Sequence, residues 1–249
     1  MPIEQAAGLL KASRYAIALT GAGISTPSGI PDFRSSANGL WHKHDPMKVA
    51  SLSAFRTRPE NFFAWFRPLA QQVIEAAPNP AHLALAGMET LGILKSVITQ
   101  NIDGLHHKAG SRTIHEIHGT INTLTCVTCY QSYPASDFHQ SYIYEGVLPT
   151  CHACGGLLKP DVILFEEQLP REVWRKAEEE VRKCDLMIVI GSSLEVNPVA
   201  QLPYKVVSQG GKLVIINEQT TYMNARADLV FSSDAAKVLP EILERLQDV

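Results

Sequence analysis

The sequence lacks long apolar runs, since no uninterrupted apolar stretch exceeds five residues, as in LMIVI at 186–190. A helix that crosses a bilayer needs about 20 predominantly apolar residues, so no membrane-spanning segment is predicted. The first residues, MPIEQAAGLLKAS, include Glu4 and no long apolar run, which argues against a secretory signal. We therefore expect a soluble protein in the cytoplasm, with no membrane partner.

Charge and cysteine are also scarce. Charged residues make up 19% of the chain and the net charge is -3, so the basic face that nucleic-acid binding requires is not expected. The chain of 249 residues has only five cysteines, and in an intracellular protein these are not expected to form a disulfide framework. Hydrophobic residues make up 45%, which is enough for a sizeable core.

Short apolar runs alternate with helical patterns along most of the chain. Strands are predicted at 15–20, 94–99, 185–192 and 212–217, and helices at 81–91, at 171–184, from about Pro198 and from about Asp234. This alternation predicts an α/β fold in which helices cover both faces of a parallel sheet. The four strands end in TGAGIS, QNID, GSSLE and NE, so we expect their polar groups to line one rim, where such sheets bind ligands.

Two segments break the alternation. Residues 36–77 predict a small helical module, in which Thr57–Glu60 resembles a capping box and Pro68 is expected to kink or end a helix. Residues 122–158 form the second insert. The large domain is then predicted to consist of 1–35, 78–121 and 159–249. The aromatic side chains of the helical module are interpreted as core: Trp41, Phe55, Phe62, Phe63, Trp65 and Phe66.

The second insert contains two C-x2-C pairs separated by twenty-one residues. This spacing is typical of a tetrahedral zinc site formed by four thiolates, and the alternative is that the four cysteines are unrelated. Four thiolates leave no open position, so the zinc is expected to be structural and to be required for this module to fold. The predicted ligands are Cys126, Cys129, Cys151 and Cys154; Cys184 is expected in the core.

Four of the nine histidines lie in one stretch, between Ile98 and Gly119. His118 ends a short extended segment and is the best candidate for a general base, because an imidazole titrates near neutral pH. A purely structural histidine is the alternative. His115 should face away from His118, whereas His106 and His107 are expected at the start of a solvated loop beside the cleft.

A glycine-rich loop, TGAGISTPSGIPDFR, follows the first predicted strand at 20–34. Gly21 and Gly23 suit the tight turn and the close backbone approach that a pyrophosphate needs. Thr26 stands where a dinucleotide-binding motif has its third glycine, and prolines prevent an immediate, uninterrupted helix. The acidic residue expected after the second strand is missing as well. These departures argue against a hydride-transfer dehydrogenase.

The motifs GAGIS (21–25), GIPDFR (29–34), TQNID (99–103), HG (118–119), the two cysteine pairs, GSSLEVNP (191–198) and IN (216–217) occur in that order. Together they resemble the sirtuin family of NAD-dependent protein-lysine deacylases, from Gly21 to the C-terminus. The resemblance implies a Rossmann-like large domain, a small domain made of the zinc and helical modules, and a monomer. NAD, consumed as a co-substrate, would meet an acyl-lysine peptide in the cleft and yield nicotinamide, free lysine and O-acyl-ADP-ribose.

The resemblance also assigns roles to residues. His118 would be the general base, with Asn101 and Asp103 as further catalytic residues. The peptide would contact Val162 and Phe165, partly by strand addition, although Glu166 stands where the family more often has glycine. The implied NAD-binding residues are Gly21, Ala22, Gly23, Thr26, Asp32, Phe33, Arg34, Gln100, Asn101, Ile102, Asp103, Gly191, Ser192, Ser193, Asn217, Asp234 and Ala235.

The acyl group is predicted from two positions in the helical module. Relatives that remove succinyl or malonyl groups carry Tyr and Arg there, and the corresponding residues here are Phe66 and Leu69. Neither can pair with a carboxylate, so acetyl or longer neutral acyl groups are expected. Two alternatives stay open at this point: mono-ADP-ribosyl transfer and a non-catalytic module that binds NAD and zinc.

Overall fold

The computed structural model describes residues 2–32 and 44–248. Trp41 lies outside these ranges. The strands are β1 (Ala16–Thr20), β2 (Leu94–Thr99), β3 (Ile114–Glu116), β4 (Gly119–Cys126), β5 (Ser132–Pro134), β6 (Leu158–Val162), β7 (Leu186–Ile190), β8 (Lys212–Ile216) and β9 (Leu229–Phe231). The helices are α1 (Pro2–Ala12), α2 (Pro46–Val49), α3 (Leu52–Thr57), α4 (Pro59–Glu75), α5 (Pro80–Thr90), α6 (Leu105–Lys108), α7 (Arg171–Lys183), α8 (Leu202–Ser208) and α9 (Ala235–Gln247).

The large sheet has six strands in the order β3-β2-β1-β7-β8-β9, all parallel. Every residue of β1 and β7 is buried, as expected for central strands that helices cover on both faces. One face packs on α1, α5 and α9, and the other packs on α7 and α8. The predicted α/β architecture, Rossmann-like with helices on both faces, is confirmed.

A second sheet is antiparallel, in the order β5-β4-β6. Its core continues into the helical module. There Phe55, Phe62, Phe63 and Phe66 are buried together with Tyr142 of the second insert, 122–158, which we call the zinc insert. The rings of Phe63 and Tyr142 meet edge to face at 5.2 Å, and the Tyr142 hydroxyl donates to the Phe63 carbonyl oxygen at 2.9 Å. These aromatic side chains therefore form core, as interpreted from the sequence.

Two local expectations are corrected by the structure. α4 begins at Pro59 with Arg58 as its N-cap and no capping side chain, because the hydroxyl of Thr57 donates to the Ser53 carbonyl oxygen of the preceding helix instead. Pro68 does not end α4, which continues to Glu75. The buried face on both sides of Pro68 maintains the helix despite the missing hydrogen bond. Helix α1 is an additional element that the strand–helix alternation does not predict. Across the described ranges, no helix is both long and apolar enough to cross a bilayer.

Candidate active site and zinc centre

The carboxyl ends of β1, β2, β7 and β8 lie side by side. Thr20 pairs with Thr99 and with Ile190, and Ile190 pairs with Ile216. The next residues stay in register, because the Gln100 N–H donates to the Thr20 carbonyl and the Gly21 N–H donates to the Ile190 carbonyl, both at 3.0 Å. The prediction that four strand ends share one rim is therefore confirmed.

The glycine-rich loop leaves β1 through two short 3-10 turns, Ala22–Ile24 and Thr26–Ser28, and not through a continuous helix. It packs directly on the end of β7, since the Gly23 N–H donates to the Gly191 carbonyl at 2.8 Å. A Cβ on Gly21 would lie 2.7 Å from the Gly191 carbonyl oxygen, and one on Gly23 would lie 2.8 Å from the Gly191 Cα. The two glycines are therefore required for close packing of the loop backbone on the end of β7.

Asn101 and Asp103, at the end of β2, are both buried and meet at the hydroxyl of Ser25. The Ser25 hydroxyl donates to Asp103 Oδ2 at 2.7 Å and accepts from Asn101 Nδ2 at 3.0 Å. The other Asp103 oxygen accepts the Leu105 N–H at 2.9 Å. This network fixes the Asp103 carboxylate between two donors and links the glycine-rich loop to QNID.

Two buried histidines lie behind this network. His82 Nδ1 accepts the Asn79 N–H, so His82 Nε2 carries the proton and points at the Ser25 hydroxyl, 3.5 Å away. Burial lowers the pKa of His82 to about 4, against the opposing effect of Asp103, and burial lowers the pKa of His106 to about 3. Both rings are therefore neutral at physiological pH, with centroids 4.9 Å apart.

The expectation of a solvated loop was wrong for His106. It lies in α6, is 2% exposed, and its Nε2 is 3.0 Å from the Thr20 hydroxyl. Its ring packs against that of His82, whose position in α5 the sequence around His106 does not reveal. His107 is exposed, as expected.

His118 lies between β3 and β4 and contacts the rim. Its Nδ1 is 3.0 Å from the Gln100 carbonyl oxygen. A carbonyl oxygen can only accept, so Nδ1 carries the proton and Nε2 is the basic nitrogen of the neutral ring. The Gln100 side chain donates to the Ser192 hydroxyl at 2.9 Å, which joins the ends of β2 and β7 beside His118.

His115 and Glu116 of β3 face opposite sides of the sheet. The charges that act on His115 belong to α7, namely Glu180, Lys176 and Lys183. Glu116 lies toward α6, where its carboxylate is 3.7 Å from His107 Nε2. Burial, and then the negative charge of Asp103, raises the pKa of Glu116 to about 7.

Two more of the predicted NAD-binding positions lie just beyond strands β8 and β9. Asp234 is the N-cap of α9, where it accepts the Ala236 N–H at 2.8 Å, and Ala235 follows it. The Asn217 amide donates to the Gln219 carbonyl at 2.7 Å, just beyond β8. Phe33 and Arg34 lie outside the described residues. Asp32 is the last described residue before that gap. The other predicted residues flank those already described: Ala22, Thr26, Ile102 and Ser193.

The segment after β6 carries the two residues predicted to contact a peptide. Val162 is buried, whereas Phe165 is 38% exposed. The Phe165 N–H donates to the Ala50 carbonyl, and its carbonyl accepts the Leu52 N–H, both at 3.0 Å. Both backbone groups of Phe165 are thus engaged within the chain, so strand addition at this residue would have to use its neighbours.

The four predicted zinc ligands converge at the tip of the small sheet, where their sulfur atoms all lie within 4.8 Å of one another. Cys126 and Cys154 Sγ are 3.5 Å apart, and Cys129 and Cys151 Sγ are 3.6 Å apart. Zn–S bonds of about 2.3 Å in a tetrahedron place sulfurs roughly 3.8 Å apart, so the cluster fits zinc. The N–H groups of Cys129 and Thr128 point at Cys126 Sγ and lower the pKa of that thiol.

Ser25, His82 and the neutral state of His106 were not identified from the sequence. Ser25 lies in the GAGIS motif, but its role depends on contacts with residues more than 70 positions away. The available signal for His82 was a single histidine in the otherwise apolar helix AHLALAG. A histidine in such a pattern indicates a buried polar contact without naming its partner.

A parallel sheet whose strand ends converge on a glycine loop and a polar cluster, next to a four-cysteine centre, defines a nucleotide-binding α/β protein with a zinc module. Residues 21–198 match the model of the Sir2 family. The chain belongs to this family, which confirms the resemblance to sirtuins.

Relatives of known name cover almost the whole chain. It is 43% identical to NAD-dependent protein deacylase 2 of Archaeoglobus fulgidus, over 98% of this chain and 96% of that protein. It is 44% identical to the NAD-dependent protein deacetylase of Saccharolobus solfataricus, over 99% of this chain and 98% of that one. A solved complex of a Sir2 protein with a p53 peptide and NAD+ superposes with a TM-score of 0.90 at 38% identity, over 98% of both chains.

Proposed function

We propose that this chain is an NAD-dependent protein-lysine deacylase that acts on acetyl-lysine, with His118 as its general base. Its relatives are named as NAD-dependent deacylases and deacetylases. A structural neighbour at 38% identity holds a deacetylated p53 peptide with 3'-O-acetyl ADP ribose. The assignment of His118 as the base rests on its Nδ1 contact with the Gln100 carbonyl oxygen. This contact places the ring proton on Nδ1, so Nε2 is the basic nitrogen.

The residues of the rim fit a dinucleotide. Gly21 and Gly23 let the glycine-rich loop pack on the end of β7, Gln100 and Ser192 provide amide and hydroxyl groups, and Asp234 lies at the far end of the sheet. When bound, NAD supplies an ADP-ribosyl acceptor for the acyl group, with nicotinamide as the leaving group. We assign its binding to the residues named from the sequence, of which Phe33 and Arg34 lie outside the described ranges.

The buried network supports the chemistry by orientation. Asp103 is buried and accepts from the Ser25 hydroxyl and the Leu105 N–H, so the orientation of its carboxylate is fixed. Asn101 is held by Ser25 and by the Gly21 carbonyl, 3.1 Å from its amide nitrogen. We propose that both groups orient the co-substrate, while His118 takes a proton from its ribose hydroxyl.

An apolar cavity supports the preference for neutral acyl groups. It has a volume of about 220 Å³ and lies between α4 and the zinc insert, with Asp103 in its wall. Phe66, Val73, Ile121 and Tyr142 line it, and Leu69 is buried in the same cluster. Lys108 also lines the cavity, but its Nζ donates to the carbonyl oxygens of Val73 and Ala76 at 3.4 and 3.1 Å. Phe66 and Leu69 add no cation, so we expect burial of an acyl carboxylate here to cost more than burial of a neutral acyl group.

The test is product analysis with a peptide that carries a single acetyl-lysine. Mass spectrometry should detect free lysine, nicotinamide and O-acetyl-ADP-ribose in equal amounts, and none of them when NAD is omitted. Transfer of ADP-ribose to a protein acceptor at a comparable rate would favour the mono-ADP-ribosyltransferase alternative. NAD binding without nicotinamide formation would contradict the proposal and favour a non-catalytic module.

Several finer expectations stay predictions. We expect a monomer in the cytoplasm that acts on acyl-lysine proteins or peptides and does not bind nucleic acid directly. The expected small domain comprises 36–77 and 122–158, and the shared aromatic core between α4 and the zinc insert supports that grouping.

A further inference from the structure

Glu166 has an unusual backbone conformation. Its φ of 73° is in the left-handed region, which glycine adopts without strain and other residues rarely do. Only two other described non-glycine residues, Tyr130 and Leu194, have positive φ. Glu166 directly follows Phe165, in the segment assigned to peptide binding, so a compensating interaction is expected where the loop meets its surroundings.

The compensating interaction is with the start of α3. Glu166 Oε2 accepts the Ser53 N–H at 2.9 Å and the Ser53 hydroxyl at 2.6 Å. The Leu52 N–H donates to the Phe165 carbonyl at 3.0 Å. The first N–H groups of a helix have no partner inside it, and here the loop at 165–166 satisfies two of them. Ser51, the N-cap of α3, satisfies the Ala54 N–H at 3.1 Å.

The neighbouring Glu167 has a different function in the loop. Its carboxylate folds back to accept the Leu164 N–H at 2.8 Å and pairs with Lys159 at 3.0 Å. Glu167 therefore stabilises the loop internally, whereas Glu166 links the loop to the helical module. Arg56 adds a positive charge near Glu166, and the hydrogen bond from the Ser53 hydroxyl lowers the pKa of Glu166, so the link is charged at neutral pH.

We propose that Glu166 is a positioning residue for the acyl-lysine peptide, because its contact with Ser53 holds the Phe165 loop against the helical module. This inference rests on the proposed deacylase function. The link fixes the half-exposed Phe165 ring at the peptide site, so its loss should weaken peptide binding. It touches no predicted NAD-binding residue, so the Michaelis constant for NAD and kcat should stay unchanged.

The experiment compares Glu166→Ala, Glu166→Gly and Ser53→Ala with the wild type on an acetyl-lysine peptide. Ala removes the carboxylate and keeps the left-handed strain, whereas Gly removes both. Both Glu166 variants should raise KM for the peptide about three- to tenfold, the range for losing exposed hydrogen bonds of this kind. Ser53→Ala should give a smaller rise, and adding it to Glu166→Ala should have little further effect, because both act through one contact.

Tyr130→Gly is the matched control. It relieves the same kind of backbone conformation at a side chain that is 79% exposed in the zinc module, so it should leave peptide KM unchanged. Hydrogen exchange provides a readout without turnover: the Leu52 and Ser53 amides should exchange faster in Glu166→Ala. Fluorescence anisotropy of a labelled acetyl-lysine peptide should show the same loss of affinity.

Three outcomes would overturn the proposal. Unchanged peptide KM in both Glu166 variants would show that the contact does not position the loop. A lower melting temperature with equal losses in kcat and in both Michaelis constants would show a merely structural role. A wild type that leaves the acetyl peptide intact would refute the proposed function itself, and the role in peptide binding with it, even if hydrogen exchange still detects the link.

Discussion

Replacing Gly191 by alanine should disrupt the contact between the glycine-rich loop and the end of β7. Gly191 has a φ of +59°, and an added Cβ would lie 2.3 Å from the Ile24 nitrogen and 2.5 Å from the Gly23 carbonyl carbon. Ordinary contact begins near 3.4 Å, so the loop would have to move by about 1 Å. Both obstructing atoms are backbone, so no side-chain rotation can relieve the clash.

Gly210→Ala is the matched control for this prediction. Gly210 has a φ of +84°, and nothing lies within 4 Å of the position that an alanine methyl would occupy. Left-handed backbone costs an alanine roughly 1–2 kcal/mol at either position, partly offset by about 0.4–1 kcal/mol from the stiffer unfolded chain. Gly191→Ala adds an overpacking cost of about 1–3 kcal/mol. We therefore expect the free energy of unfolding to fall by about 2–4 kcal/mol for Gly191→Ala and by about 1 kcal/mol for Gly210→Ala.

The two variants should also differ in NAD binding. A displacement of about 1 Å in a loop that contacts the ligand should raise the dissociation constant for NAD roughly tenfold or more. Urea denaturation measures the stability of each variant, and isothermal titration with NAD measures the affinity. Equal stability and equal NAD affinity in the two variants would refute the argument that close packing of Gly191 on Gly23 shapes the site.

Three further perturbations test other parts of the molecule. Cys151→Ala should abolish zinc binding and lower the melting temperature by several degrees, whereas Cys184→Ala should retain the metal. An unchanged melting temperature after the loss of zinc would contradict a structural zinc. Burial raises the folded-state pKa of Glu116 from 4.5 to about 7. The free energy of unfolding therefore falls as the pH rises from 4.5 through 7, because the carboxyl must lose its proton at a buried position. Glu116→Gln should therefore stabilise the protein by at most about 3 kcal/mol at pH 8 and by little at pH 4.5, and an equal effect at both pH values in urea denaturation would contradict this cause. Phe66→Tyr combined with Leu69→Arg should introduce removal of succinyl groups, and its absence from an activity assay on a succinyl-lysine peptide would show that the acyl pocket is placed wrongly.

Much of the fold could be predicted from the sequence because the relevant signals are local. A strand buried on both faces must be apolar throughout, so LMIVI and its counterparts indicated the central sheet. The zinc centre could be predicted as well, since two C-x2-C pairs in one insert are typical of a tetrahedral four-thiolate zinc site. The shared rim could be predicted because polar residues follow each of the four strands, and parallel strands place all their carboxyl ends at one edge.

The rest depended on contacts between distant parts of the chain. Ser25 could be assigned only after the fold had placed Asn101 and Asp103 beside it, and the burial of His106 depends on packing that α6 alone does not reveal. The link from Glu166 to Ser53 joins residues 113 positions apart. The sequence alone indicated only that Glu166 occupies a position where the family more often has glycine.

The most direct test of the proposed function is steady-state nicotinamide release from NAD, with and without an acetyl-lysine peptide, in the wild type, His118→Ala and His107→Ala. His107 is an exposed histidine of the same stretch and serves as the control. We predict release by the wild type that depends on the peptide, its collapse in His118→Ala and near wild-type release in His107→Ala. Undiminished, peptide-dependent turnover in His118→Ala would contradict the assignment of the base, and no release with any acyl peptide would contradict the catalytic function.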